Sequence, residues 1–311
     1  MKTVFADFNA LTEDDRIRMT TRGSEEDLRR EQITPGNWVW LSDGELQVGA
    51  KIAEDARDRV VAIPAWETLV DLQRETARPF EEVWREFSAL LQSTQRSRDD
   101  EIRLLQLLSA FETLAPAELR SVTDPGYFAS RRAAVMLALG WFELARLSIE
   151  EALHSLPETP FYVILHLEIL RRLDLQLAVA EAERWVAAPA TDARILAACL
   201  NVLAIQADNL PDDQIDAFRS LFEDAIQRFD RAPGRGAVDV STLALLLVNC
   251  GLLALRSGRI PEARDVFHLA RQIDPNDPDV RVFSQVESFD DMARQAASRL
   301  HARPIDRQMA A

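Results

Sequence analysis

Two stretches of this chain repeat one pattern of small residues, and that repetition limits the fold more than any other feature. Leu247 to Pro275 reads LVNCGLLALRSGRIPEARDVFHLARQIDP. It holds a small residue at Gly251, a helix breaker at Gly258, a second stripe at Ala263, Phe267 and Ala270, and a stop at Pro275. Gly126 to Pro157 sets Ala133, Gly140, Ala145, Ile149, Ala152 and Pro157 in the same order. Apolar residues recur at three and four on both sides of each glycine, so each stretch reads as helix–turn–helix. Such a hairpin buries its apolar face only against neighbours, which requires a stack. The chain between keeps the pattern in weaker form. Pro160 to Pro189 carries Ala178, Ala182 and Trp185 on its second helix, and Asp192 to Pro233 has extra residues around Asn209-Leu210-Pro211-Asp212-Asp213. Pro233-Gly234-Arg235-Gly236 lacks the Lys-Ser/Thr of a phosphate loop and reads as a connection.

The first 65 residues read differently. Thr3 to Phe8, Arg16 to Thr20, Trp38 to Leu41, Leu46 to Ala53 and Arg59 to Ile63 are short runs of strand formers. Thr34-Pro35-Gly36-Asn37 suits a tight turn, and Asp43-Gly44 suits a type I′ hairpin. Ser24-Glu25-Glu26-Asp27 looks like a capping box opening a short helix through Arg30. Five strands in so short a span suggest a small barrel or curled sheet, similar in layout to SH3-like barrels. From Pro64 the signal is helical, with segments expected at Trp66 to Arg74, Pro79 to Gln92 and Asp99 to Leu114. The expected class is α+β: a small β-barrel or curled sheet followed by an all-α helical-hairpin solenoid. Its divisions are a β module over 1–65, a helical connector or divergent repeats over 66–125, repeats over 126–277, and a capping helix and tail over 278–311.

Composition narrows the function classes. Among 311 residues, 51 acidic side chains face 36 basic ones, a formal charge of −15. That disfavours nucleic acid, whose binders neutralise phosphates with Lys and Arg. Two cysteines make no disulfide framework and suit a reducing, cytoplasmic setting. No signal-type apolar run opens the chain, and no run approaches the ~18 apolar residues of a spanning helix, so no membrane partner is expected.

The hairpin Leu247–Pro275 resembles a tetratricopeptide repeat, with Gly251 and Ala263 at the small positions, Gly258 in the turn and Phe267 packing toward the next repeat. The resemblance implies an α-solenoid whose first helices line a concave groove for a partner peptide. It places Tyr127, Ser130 and Leu137 from one repeat, and Leu245, Val248, Asn249, Leu252 and Arg256 from another, toward that groove. Asn249 falls where many family members place an asparagine that grips peptide backbone, with Asn201 as its counterpart. The lysine-rich clamp for a C-terminal carboxylate is absent.

No catalytic constellation is legible, and neither cofactor nor metal is expected. His154, His166, His268 and His301 lack metal-motif spacing, and His166-Leu167-Glu168 stands without the Pro-Cys-x-x-Cys of a deaminase. Cys199 and Cys250 sit on apolar helix stripes. Asp14-Asp15, Asp99-Asp100-Glu101, Asp212-Asp213 and Asp290-Asp291 read mainly as helix caps. The arginine pairs Arg131-Arg132 and Arg171-Arg172 read as solvated faces. Trp38 and Trp40, two apart on a strand, share one face and form either a peptide-holding surface or a packed one. These readings converge on a non-enzymatic interaction adaptor for a basic or amphipathic protein segment. A self-assembling structural protein is the alternative, followed by an enzyme with a site between the β module and the helices.

Overall fold

Alternation along Trp38-Val39-Trp40-Leu41 sends Val39 and Leu41 to one side of a sheet and the tryptophans to the other. The computed structural model describes residues 2–276 except 58, 94, 115–123, 125, 189–190, 208–209, 211–218, 220–226, 230 and 233–239. Asp212-Asp213, the connection around Gly234, the expected terminal cap Asp279 to Leu300 and His301 lie outside the described residues. The chain forms two units, Met1–Pro157 and Glu158–Ala311.

The first unit opens with β1 (Thr3–Phe5), β2 (Ile17–Arg18), α1 (Arg22–Arg30), β3 (Trp38–Ser42), β4 (Leu46–Glu54), β5 (Val60–Pro64) and β6 (Val70–Asp71). The sheet order is β1-β3-β4-β5-β2, with β6 also on β4; β1 runs parallel to β3 and the other pairs are antiparallel. Curled into a half-barrel, it encloses Val4, Val39, Leu41, Val48, Ala50, Ile52 and Ala62, closed by Leu28 of α1.

Three local expectations are corrected. Trp66 to Arg74 is not one helix: Trp66–Thr68 is a 3-10 turn, β6 follows, and α2 covers Leu72–Thr76. The reason is long-range. The buried Thr68 hydroxyl accepts from the Gly49 amide at 2.7 Å and donates to the Ala65 carbonyl at 2.8 Å, and the Leu72 amide donates to the Glu45 carbonyl. At the β3–β4 hairpin Gly44 has φ +95° while Asp43 keeps a negative φ, so the turn is not type I′. Asp43 Oδ1 holds it instead, accepting from the Glu45 and Leu46 amides. Helix α1 is capped by Thr21, whose hydroxyl accepts from the Ser24 amide, while Asp27 accepts from the Phe5 amide on the outer edge of β1.

Helices α3 (Phe80–Gln92) and α4 (Arg98–Leu114) follow, then the hairpin α5 (Tyr127–Ala138) and α6 (Phe142–Ser155). Phe80, Trp84, Phe87 and Phe111 meet as stacked and edge-on rings, and Phe111 stacks on Phe128 of α5. Beside them the buried Glu75 of α2 receives Arg103 of α4 at 2.6 Å and Arg78 at 3.0 Å, and both arginines also bind Glu86. Each carboxyl lies below its ordinary range: burial alone would raise Glu75, but Arg103 and Arg78 outweigh it, and on Glu86 the Arg103 bond dominates.

In the second unit, α7 (Pro160–Leu173) and α8 (Leu175–Ala187) meet at Asp174, which ends one helix and caps the next by accepting from the Gln176 amide. Ala178 and Ala182 are buried where α8 packs, and Val186 rather than Trp185 completes the buried stripe. α9 (Ala193–Ala207) packs on α7, α8 and α10 (Val240–Arg256), and α10 forms a hairpin with α11 (Ile260–Ile273).

Candidate partner-binding surface

The two clear hairpins turn in the same way. Gly140 and Gly258 both adopt positive φ, +81° and +72°. The amide after each glycine reaches back to a carbonyl near the helix end, Trp141 to Met136 and Arg259 to Ala254, each at 2.9 Å. This is the left-handed cap that glycine adopts without a Cβ penalty. The small residues do the packing expected of them. Ala133, Ala145, Ala152, Ala263 and Ala270 are fully buried, and a Cβ on Gly251 would stand 2.6 Å from the Phe267 ring. Phe267 therefore fills the space between α10 and α11 of its own hairpin.

The eleven residues singled out from the sequence fall into distinct places. Tyr127, Ser130 and Leu137 belong to the first unit. Ser130 is buried and its hydroxyl donates to the Tyr127 carbonyl at 2.8 Å. Tyr127 is half-buried, edge-on to Phe128 and under the Arg131 guanidinium, and Leu137 is half-buried. In the second unit Val248 and Leu252 are core side chains grouped with Ala263 and Phe267. Leu245 is half-buried on the same helix. Asn249 is buried and its amide donates to Asn201 Oδ1 at 3.0 Å, which joins α10 to α9. Arg256 is turned to structure: its guanidinium donates to the carbonyls of Ala207 and Leu210, where α9 ends. Trp40 is buried against Gly49, and Trp38 is half-buried.

Several side chains with chemical potential are occupied. Glu168, in the partial deaminase pattern, is buried and held by Arg171 at 2.6 Å and Arg172 at 3.0 Å. Arg132 is not solvated; it is almost wholly buried and reaches Glu151. Burial pushes the Cys199 thiol up, which keeps it protonated. Asp100 is a cap, accepting from the amide and hydroxyl of Ser97, whereas Asp14 sits in a turn beside Thr12 and Arg16. Among the described residues no three His, Cys, Asp or Glu side chains converge as a metal site, and no helix is long and apolar enough to cross a membrane.

The sequence reading missed Ile63 and Lys51, exposed on the same side of the sheet as Trp38. Only the register, which pairs Lys51 with both Trp38 and Ile63, reveals them. No protein-family model matches the chain, and no curated protein matches it. Among solved structures the chain is similar to YrrB, described as a TPR protein with an unusual peptide-binding site. The identity is 15% and the TM-score 0.40, over 64% of this chain and 98% of that one. A likeness of that size adds nothing to what the residues themselves support.

Proposed function

We propose that this chain is a non-enzymatic protein-interaction adaptor whose hairpin helices hold a segment of a partner protein. The observation that carries the reading is the recurrence of one hairpin, with the same left-handed glycine and the same buried small residues, at Gly140 and at Gly258. Units of this kind stack by their faces and expose an extended surface, which suits a chain segment better than a small molecule. In the second unit the half-buried Leu245 and Asn201 supply an apolar contact and an amide on adjacent helices. The chain's net charge of −15 favours a basic or amphipathic segment through long-range attraction.

The test is co-purification of the tagged full chain from its source cells, with Leu245→Asp and Asn201→Ala variants alongside. Val248 and Leu252 are unsuitable controls, because a carboxylate there would enter the core. A partner recovered with the parent chain and lost from the variants, at unchanged circular dichroism, is the expected result. Recovery of the chain alone, with concentration-dependent sedimentation, would replace the adaptor by a self-assembling protein.

A further inference from the structure

The side of the sheet opposite the half-barrel core is covered at one end and open at the other. At the covered end Trp40, Thr68 and Val70 are buried. At the open end Trp38 pairs with Lys51 and Lys51 with Ile63, so the three side chains form one row across β3, β4 and β5. Ile63 is 42% exposed and Trp38 half-buried. Two strand positions away on the same side, Arg18 pairs with Val61, which pairs with Ala53.

Charge distinguishes this patch from scattered surface hydrophobics, which need no explanation. Lys51 and Arg18 are exposed, and the side chain of neither makes an ion pair or hydrogen bond with any described residue. Together with the register, this sets two cations beside Trp38 and Ile63 on one side of the sheet, in a chain with a formal charge of −15. We infer that this open face docks an acidic, apolar segment of a partner protein, with carboxylates on Lys51 and Arg18 and apolar side chains against Trp38 and Ile63. The inference concerns a surface separate from the helical one and stands or falls without it. Its partner has the opposite charge to the one proposed for the helices, so the two surfaces discriminate between segments.

The experiment uses the full chain and fluorescence anisotropy with a labelled peptide of alternating Asp and Leu, against Lys-Leu and Asp-Ser peptides as controls. Saturable binding of the Asp-Leu peptide that weakens with salt is expected, with neither control binding comparably. Lys51→Glu should weaken it about tenfold, a change of ~1.4 kcal/mol. Lys51→Arg should restore it, and Leu245→Asp on the helices should leave it unchanged. Lys51 is exposed, so these variants keep the fold, and circular dichroism verifies that. Equal binding of the Lys-Leu peptide, or indifference to Lys51→Glu, overturns the proposal. Self-association of the parent chain that Lys51→Glu abolishes, without peptide binding, also overturns it and makes the face a contact between copies.

Discussion

The ring of Phe267 occupies the space that a Cβ on Gly251 would need: its nearest carbon lies 2.6 Å from that position, and two more lie within 2.9 Å. This one contact sets how closely α10 and α11 approach. Gly251→Ala gains helix propensity, about 1 kcal/mol, but forces the ring or the helix to move, at a cost of about 1–3 kcal/mol. Net destabilisation of about 1 kcal/mol is expected in denaturant melts. In Phe267→Leu the same substitution should be neutral or stabilising, and the double-mutant cycle measures the coupling. An additive cycle would mean that the two helices are not held by this contact.

The turn glycines are a different case, because space around them is open and only the backbone objects. Gly140 and Gly258 have nothing within 4 Å of an added Cβ, yet both sit at positive φ. Gly140→Ala and Gly258→Ala should each cost about 1 kcal/mol, and the asparagine variants less, since Asn tolerates this region better. Thermal melts of the four variants check the ranking.

The Glu75, Arg103, Glu86 and Arg78 cluster makes acid stability testable. Both carboxyls titrate lower in the folded chain than in the unfolded one. Their contribution is therefore fully present above the unfolded pKa, about 4.3, and is lost as pH falls through the folded values. Arg103→Met should cost about 3 kcal/mol at pH 7, because it removes a partner of the buried Glu75. The gap between parent and variant should close below pH 4. Guanidinium melts at stepped pH measure it; a pH-independent gap would mean that packing, not charge, is what Arg103 supplies.

Asn201 and Asn249 form one bond but are not equivalent, since Asn249 is buried and Asn201 only half so. Asn201→Ala leaves the Asn249 amide without its acceptor and should cost about 1–2 kcal/mol. Asn249→Ala leaves Asn201 able to reach water and should cost less. Chemical denaturation of both variants decides the order.

The helices were legible because their apolar period is local: the sequence reading places α3, α4, the turn at Gly258 and the end of α11 within a residue or two of where they lie, although α10 begins at Val240, well before the expected Leu247. What was illegible depends on distant partners. Nothing near Thr68 announces that its hydroxyl will take the Gly49 amide and break the expected helix, and nothing near Arg256 announces that it will cap α9. The candidate surface suffers most from this. Helical spacing puts Leu245, Val248, Asn249 and Leu252 on neighbouring faces, but which of them packs inward is fixed by α11 and α9, elements the spacing does not describe.

The central claim is that the hairpin helices, and not another part of the chain, receive the partner of the adaptor. Hydrogen–deuterium exchange of the full chain, alone and with its co-purified partner, tests it most directly. New protection is expected in α9 and α10, residues 193–207 and 240–256, with α11 unchanged. Protection confined to the sheet, or none in the helices, would contradict the account.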